Sequence, residues 1–598
     1  MTRPIANLQA ATGLLDALRN RGLQHLVLCP GSRSGPLALA AGGLARAGLV
    51  TLSTAMDERS AAYLALGASR ASGRATAVIT TSGTAVANLL PAVVEADRSC
   101  QPLLLLTADR PHRLKDCGAN QTVNQEAFLR PACRWVGSGP ENGLDGASSA
   151  ELQLLADQAW HHAHHWPGPV HLNLPCEEPL HPSAEQQARF WNLWTAADSN
   201  PPTPASLPLG HGEPPLSLDP DRPGVVVAGP WRGLASERSA FVQGLRRWQQ
   251  RSGWPLLVDP LAGVSSDLPG QVRGWDLLLP HQLPLPEGLE LDQLQVLRLG
   301  PLPASRRLEA WLQRCGGPQL LISEGELRGL DPLKRALQWS GGLAAWPQLA
   351  ALDATQASAP SALDAISSEL RAEWQRRDRQ LSAWLVQRLP QAGAVTEPAL
   401  MNLLARCLPP DLPVMLAASS PVRDWQAFAI ADSGCRQCVS FRGASGIDGT
   451  LSLGFGLAMV QGRTLLITGD LALLHDSNGW LHAGSSGAAP PLLVLLIDNG
   501  GGGIFQQLPV PADPADAFDQ LFAMPQTVDP LALAAAHGIP GRQVACLEDL
   551  PHALEWGLAQ RGPALLRVCT HRQGDAALRA RLRQEIQQLT MAATSAPP

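Results

Sequence analysis

The stretch Leu465-Leu466-Ile467-Thr468-Gly469-Asp470 sets a carboxylate directly after an apolar run. A second apolar run ends in Asp498-Asn499-Gly500-Gly501-Gly502-Gly503, and Asn499 follows Asp470 by 29 residues. That offset accommodates one crossover between adjacent parallel strands, so the acid and the amide would reach the same sheet edge. A carboxylate, an amide oxygen and a backbone carbonyl from a glycine run form a hard-oxygen set suited to Mg²⁺, an ion that keeps positions open for phosphate oxygens. Gly-Asp after a strand is by itself most often a turn; the paired offset and the glycines carry the metal reading. A further acid, Glu58 in Met56-Asp57-Glu58-Arg59-Ser60-Ala61, opens a helical stretch after a short apolar run. Alone, it is simply the charge that a helix N-terminus favours.

The elements that must position these groups follow a repeated rhythm. In the first third of the chain the apolar runs 25–29, 50–53, 77–80 and 102–107 each precede a turn or a helical segment. The last third repeats this with the runs 414–417, 465–468, 492–497 and 564–568. Apolar runs alternating with helices predict parallel sheets covered on both faces. Ligands then gather at the carboxyl ends of the strands, where Ser32, Glu58, Ser82 and Arg110 fall. The runs 225–227, 256–258, 296–299 and 320–322 predict a smaller α/β unit in the middle, without a cofactor fingerprint. Pro-rich seams at 198–224 and 355–362 read as linkers. The expected fold is α/β with three doubly wound parallel-sheet domains. Its divisions are 1–197, a linker 198–224, 225–354, a linker and helix 355–380, and 381–598.

The 598 residues suffice for several buried cores. A net charge of −6 gives no global field to attract nucleic acid or anionic membrane. Only Lys115 and Lys334 are lysines among 46 basic residues, so Schiff-base chemistry has two candidates, neither in a Gly-rich or acidic setting. The 11 cysteines include one close pair, Cys435 and Cys438, with no second pair at zinc spacing, which favours buried, reduced thiols. His161, His162, His164 and His165 have no carboxylate or thiol company and read as a surface or interface cluster rather than a metal site. Uncharged windows such as 75–94 are studded with Thr, Ser, Gly, Asn and Pro, so no stable membrane insertion is expected. The first twenty residues carry charge where a leader peptide needs its apolar run, and the expected location is cytoplasmic.

The Gly469-Asp470 … Asn499 arrangement resembles the signature of the thiamine-diphosphate-dependent enzymes, with Leu471 where that family usually has a third glycine. The resemblance widens through Pro30-Gly31-Ser32-Arg33-Ser34, Asp57-Glu58-Arg59-Ser60, Thr107-Ala108-Asp109-Arg110-Pro111, Asp116-Cys117-Gly118-Ala119-Asn120-Gln121 and Arg442-Gly443-Ala444-Ser445-Gly446-Ile447-Asp448-Gly449. These motifs cover both outer blocks densely and the middle poorly. They point to the branch that acts on 2-oxoglutarate and isochorismate on the way to menaquinone or phylloquinone. The resemblance implies a synthase that decarboxylates 2-oxoglutarate and adds the four-carbon fragment to isochorismate in a 1,4-addition.

By the same resemblance, Asp470, Asn499 and the Gly501 carbonyl would hold Mg²⁺ or Mn²⁺ on the cofactor diphosphate, and Gly469 would let backbone approach it. Glu58 would stand against N1′ of the aminopyrimidine, helping that ring take the proton from C2 of the thiazolium. Ser82, Ile447 and Ile504 would contact the cofactor, with Ile447 wedging it into a bent shape. Both substrates are dicarboxylic acids, which arginine forks suit. Ser32, Arg33, Arg110, Gln121, Arg306, Ser419, Arg423 and Arg442 would bind them, and Phe505 and Leu508 would wall the cavity. Arg306 stands where the family tends to have lysine, and the asparagine often found before Ser419 is missing. A homodimer or homotetramer is implied, with Glu58 and the metal set of each site coming from different chains. The rivals are another thiamine-dependent carboligase, such as a flavin-bearing acetohydroxyacid synthase, and a non-catalytic metabolite-binding regulator. A dinucleotide dehydrogenase falls away, because no Gly-x-Gly-x-x-Gly opens a helix after an early strand.

Overall fold

A computed structural model describes residues 2–192, 212–279, 281, 283–354, 362–430, 436–484, 489–510 and 515–594. Three six-stranded sheets form its framework, and every strand pairing within them is parallel. In spatial order the first sheet runs Thr51–Thr54, His25–Leu28, Thr76–Thr80, Leu103–Asp109, Pro169–Pro175 and Trp135–Ser138. The third runs Cys438–Val439, Val414–Leu416, Thr464–Gly469, Leu492–Asp498, Ala564–Cys569 and Gly541–Val544, which is the same connection order. The α/β class with three doubly wound parallel sheets is what the alternating runs predict. Strand Pro169–Pro175 escapes an apolar-run search because His171 and Asn173 interrupt it. Both are buried and paired, His171 Nε2 with Thr107 Oγ1 at 2.7 Å and Asn173 Oδ1 with Gln125 Nε2 at 2.7 Å.

The middle sheet runs Leu337–Trp339, Gln319–Ile322, Gln295–Leu299, Gly224–Ala228, Leu256–Val258 and Gln271–Val272. Its strand order reverses between Gln295–Leu299 and Gly224–Ala228, the dinucleotide-type switch point where a crevice usually opens. Here the flanking loops meet: a Cβ on Gly229 would collide with the Pro301 carbonyl, and one on Gly300 would lie 2.8 Å from the Pro230 carbonyl. With Trp231 buried over it, the crevice keeps about 10 Å³, room for one water at most. The seam before this sheet is packed over its described part. Leu218 is buried in the middle core and its N–H donates to Gln348 Oε1 at 3.0 Å, so residues 212–223 act as a strap rather than a free linker. Residues 198–211 and 355–361 of the two seams, and Cys435, lie outside the described residues. The helix Ala362–Arg388 runs through position 380 without a break and buries Trp374 against Trp311, tying the middle sheet to the third.

The first and third sheets are joined by two crossing helices, Glu58–Ser72 and Thr450–Gln461. They touch backbone to backbone: a Cβ on Gly67 would collide with the Leu453 carbonyl, and one on Gly456 with the Leu64 carbonyl. One apolar cluster runs unbroken across this contact, from Val27 and Leu66 to Phe455 and Val494. Gly456→Ala is therefore expected to cost about 1–3 kcal/mol by overpacking. Thermal unfolding checks it, with Gly146→Ala, which meets nothing within 4 Å, as the control. Of the described cysteines, Cys29, Cys100, Cys176, Cys315 and Cys438 are buried, but Cys117, Cys407 and Cys569 are exposed. The expectation of buried thiols thus holds for only part of the set, because residues in turns and at the ends of helices and strands meet solvent whatever their type.

Candidate active site

Strands Thr464–Gly469 and Leu492–Asp498 are neighbours, with Gly469 opposite Ile497, so Asp470 and Asn499 leave the sheet at one edge. Asp470 begins a short helix, and its carboxylate accepts from the N–H of Leu471 and of Gly501, both at 2.7 Å. Burial pushes this carboxyl above its ordinary value, while the backbone donors pull the other way. Gly500 and Gly501 have φ of 77° and 114°, backbone that only glycine adopts without strain, and a Cβ on Gly501 would strike the Ala523 carbonyl. Asn499 Nδ2 donates to Glu397 Oε1 at 2.7 Å, whereas its Oδ1 is buried and has no partner. Beside Gly469 there is open space, with nothing within 4 Å of a Cβ built there.

At the first sheet, Asp57 caps the helix Glu58–Ser72 by accepting from Arg59 N–H at 2.9 Å, which fixes where Glu58 starts. Glu58 Oε2 accepts from Asn88 Nδ2 at 3.4 Å. Among the described residues, no hydrogen bond or ion pair joins Glu58 to Asp470 or Asn499 of the same chain. A cavity of about 410 Å³ opens beside Asp57, between Leu28, Pro30 and Met56 on one side and Asn478, Leu481 and His482 on the other. The adjoining strand ends gather Ser82, Arg110 and Gln121. The Arg110 guanidinium donates to Ser82 Oγ and to the Gln121 carbonyl, and Gln121 Nε2 donates to the Ser82 carbonyl at 2.8 Å. Gln121 is held at φ 55°, an uncommon conformation for its type. Arg33 lies close enough for its charge, after burial, to lower the pKa of Arg110. It is aimed by the Cys176 carbonyl at 2.9 Å and by Glu178 at 2.7 Å. Ser32 is exposed at the mouth of this cluster.

A second arginine group stands on the third sheet. Ser419 has φ 72° and its carbonyl accepts from Arg423 Nη1 at 2.6 Å. Burial, then the charge of Arg442, lowers the pKa of Arg423, and burial does the same to Arg442. The loop holding Arg442 and Ile447 is pinned from the first sheet by Glu95. That buried carboxylate accepts from the N–H groups of Gly443, Ala444 and Ser445 at 2.7, 2.7 and 3.3 Å. Glu95 and Glu397 escape the motif reading. The signal at Glu95 is an acid inside an apolar helical stretch, which has to be paired if it is buried; Glu397, the first residue of its helix, is an ordinary helix-opening acid in the residue order. Ile504 and Phe505 are half-buried, Phe505 beside Phe522 at 5.8 Å, while Leu508 is 41% exposed. Arg306 sits exposed at the start of helix Arg306–Arg314. The four histidines stack on Trp135, Trp160 and one another without a metal-ligand set among the described residues.

A family profile described as thiamine pyrophosphate enzyme, N-terminal TPP binding domain, matches residues 8–128, and its C-terminal TPP binding domain counterpart matches residues 426–568. The chain is 64% identical to the 2-succinyl-5-enolpyruvyl-6-hydroxy-3-cyclohexene-1-carboxylate synthase of Synechococcus sp. (strain CC9311), over 96% of this chain and 99% of that one. It is 61% identical to the synthase of that name from Prochlorococcus marinus (strain MIT 9313), over 94% and 97% of the two chains. The identity is 46% to that of Prochlorococcus marinus (strain NATL1A), over 96% of each. The chain belongs to this synthase family. Its cofactor is thiamine diphosphate, and the family's usual partner for the diphosphate is a divalent ion. The residues at the third sheet edge fit both. The unpartnered, buried Oδ1 of Asn499 is an oxygen donor open to a cation, Asp470 supplies the charge beside it, and the open space at Gly469 admits the diphosphate.

Proposed function

We propose that the chain decarboxylates 2-oxoglutarate and joins the four-carbon remainder to isochorismate by 1,4-addition. The products are CO₂ and 2-succinyl-5-enolpyruvyl-6-hydroxy-3-cyclohexene-1-carboxylate, made in the cytoplasm for menaquinone or phylloquinone. The observation that carries this reading is the near-full-length likeness to synthases of that name. Two arginine groups at the strand ends support it, since both substrates present paired carboxylates. When bound, thiamine diphosphate supplies a carbon nucleophile that can hold the charge left by decarboxylation.

The side chains then divide the work. Asp470, Asn499 and the Gly501 carbonyl hold the divalent ion. Glu58 holds a proton at N1′ of the aminopyrimidine, and Ser82, Ile447 and Ile504 shape its seat. Arg33, Arg110 and Gln121, with Ser32 at the mouth, form one carboxylate-binding group, and Ser419, Arg423 and Arg442 form the other. Phe505 and Leu508 wall the cavity. Burial lowers the pKa of Arg110, Arg423 and Arg442, and a neighbouring arginine adds to this at Arg110 and Arg423, so an anionic guest gains there. Arg306, exposed on the single chain, would add a further guanidinium for a substrate carboxylate. The deciding experiment incubates the protein with thiamine diphosphate, Mg²⁺, 2-oxoglutarate and isochorismate and weighs the product. CO₂ release without the adduct would favour a different acceptor.

We also infer that the working unit is a homodimer, or a dimer of dimers. Its sites would pair the first domain (1–197) of one chain with the third (381–598) of another. Apolar side chains exposed at both half-sites support this, Met56, Val123 and Phe128 on one and Leu508, Leu521 and Met524 on the other. Mixing inactive Glu58→Gln with inactive Asp470→Ala protein is expected to restore about a quarter of wild-type activity per total site, the statistical share of intact mixed sites. Continued inactivity after mass spectrometry has verified subunit exchange would refute shared sites.

A further inference from the structure

Asparagine's side-chain amide is nearly symmetric in shape, so its oxygen faces a cation only if something dictates which end points there. Around Asn499 that choice is made by a buried network from three other elements. Glu397, at the first turn of helix Glu397–Cys407, is 1% exposed. Its Oε1 accepts from Asn499 Nδ2 at 2.7 Å and from Thr570 Oγ1 at 3.3 Å, and its Oε2 accepts from the Arg579 guanidinium. Arg579, itself 2% exposed, is held by Asp424 at 2.8 and 2.5 Å, and the Glu397 N–H donates to Asp575 at 3.0 Å. In this arrangement Oε1 is met by donors from both Asn499 and Thr570 and serves them as an acceptor. It therefore draws the NH₂ end of Asn499 inward and leaves Oδ1 facing away, buried and without a partner.

We propose that Glu397 is a positioning residue that sets the Asn499 amide so that its oxygen, not its nitrogen, is offered to the divalent ion. The inference rests on the cofactor reading above and adds a device to it. Glu397 touches neither ion nor cofactor; it acts only through Asn499. Partners of metal ligands in such second-layer roles are worth about 10–100-fold in metal affinity.

The test exploits the direction of one hydrogen bond. Glu397→Gln keeps shape but has a single oxygen, which Arg579 claims. Its NH₂ then meets Asn499, turns the amide over and offers nitrogen to the metal. Asn499→Asp fails differently, by setting a second carboxylate against Glu397. Combined, the two changes restore complementarity: the introduced glutamine donates to one oxygen of the introduced aspartate, whose other oxygen is left for the ion, and the total charge is unchanged.

Mg²⁺ is titrated calorimetrically into each protein in the presence of thiamine diphosphate. Each single variant is expected to bind Mg²⁺ about 10–100-fold more weakly, and the double variant is expected to recover most of that loss. In turnover assays Glu397→Gln should raise half-saturating Mg²⁺ while leaving kcat at saturating Mg²⁺ within a few-fold of wild type. Thermal unfolding tracks integrity, and if Glu397→Gln does not fold, Glu397→Asp, which keeps the charge but withdraws the acceptor, should weaken Mg²⁺ in the same sense. Wild-type Mg²⁺ affinity in the single variant, or no recovery in a folded double variant, would overturn the assignment. Wild-type protein that took up no Mg²⁺ would overturn the cofactor reading and this inference with it.

Discussion

Glu58→Gln is expected to lower kcat by roughly 10²–10⁴-fold, the range over which a positioned proton-transfer group contributes, while leaving the fold and cofactor affinity nearly intact. The substitution is isosteric, and the new amide oxygen can still accept from Asn88, as Glu58 Oε2 does at 3.4 Å. The helix start does not depend on Glu58 either, since Asp57 supplies the cap. What is lost is a group able to take and return a proton at the cofactor ring. The check is single-turnover CO₂ release from 2-oxoglutarate, alongside calorimetric binding of thiamine diphosphate and a melting curve. A variant that bound the cofactor as tightly as wild type and turned over within tenfold of it would remove Glu58 from the chemistry.

Asp470→Ala is expected to act at a different stage, weakening retention of Mg²⁺ and thiamine diphosphate by at least about 100-fold. Even partners one layer out from a metal cost up to that much, and Asp470 is both the proposed charged ligand and the acceptor for the N–H groups of Leu471 and Gly501. Without it those two donors lose their partner, and the glycine loop loses the tie that sets the Gly501 carbonyl. Because a ligand that binds only the folded state raises its stability, adding Mg²⁺ and thiamine diphosphate should raise the Tm of wild type but not of Asp470→Ala. Chelation of wild type should reproduce the variant's behaviour, reversibly. Equal thermal shifts in the two proteins would show that Asp470 does not hold the ion.

The two variants separate the reading into parts that can fail independently. Loss of turnover with cofactor retained belongs to the first sheet, and loss of cofactor belongs to the third. Their recovery on mixing would further require that the two edges meet across a chain boundary.

Much of the site is legible in the residue order because it depends on local connections. A strand carries its last residue to the sheet edge, and a crossover of fixed minimum length returns the chain to the neighbouring strand. The spacing of Asp470 and Asn499 therefore implies a shared edge, and Glu58 following a short apolar run implies a helix start. Arg110 and Gln121, on a strand end and the loop after it, are legible for the same reason. The strand Pro169–Pro175 is not, because buried His171 and Asn173 break the apolar pattern that announces a strand while finding their partners in space.

What the residue order alone determined was which side chains each element delivers to its own end: the proposed metal ligands, the helix-opening acid and the arginines in the turns. The tertiary structure decided how those ends are finished. Glu397 reaches Asn499 across 102 positions, and Glu95 reaches the loop of Arg442 across about 350. It also decided that Arg306 is exposed on the single chain and that the middle crevice is filled by its own loops. Such contacts arise where separately formed elements pack, and their energies come from burial and pairing between segments that share no local pattern, so no spacing along the chain encodes them.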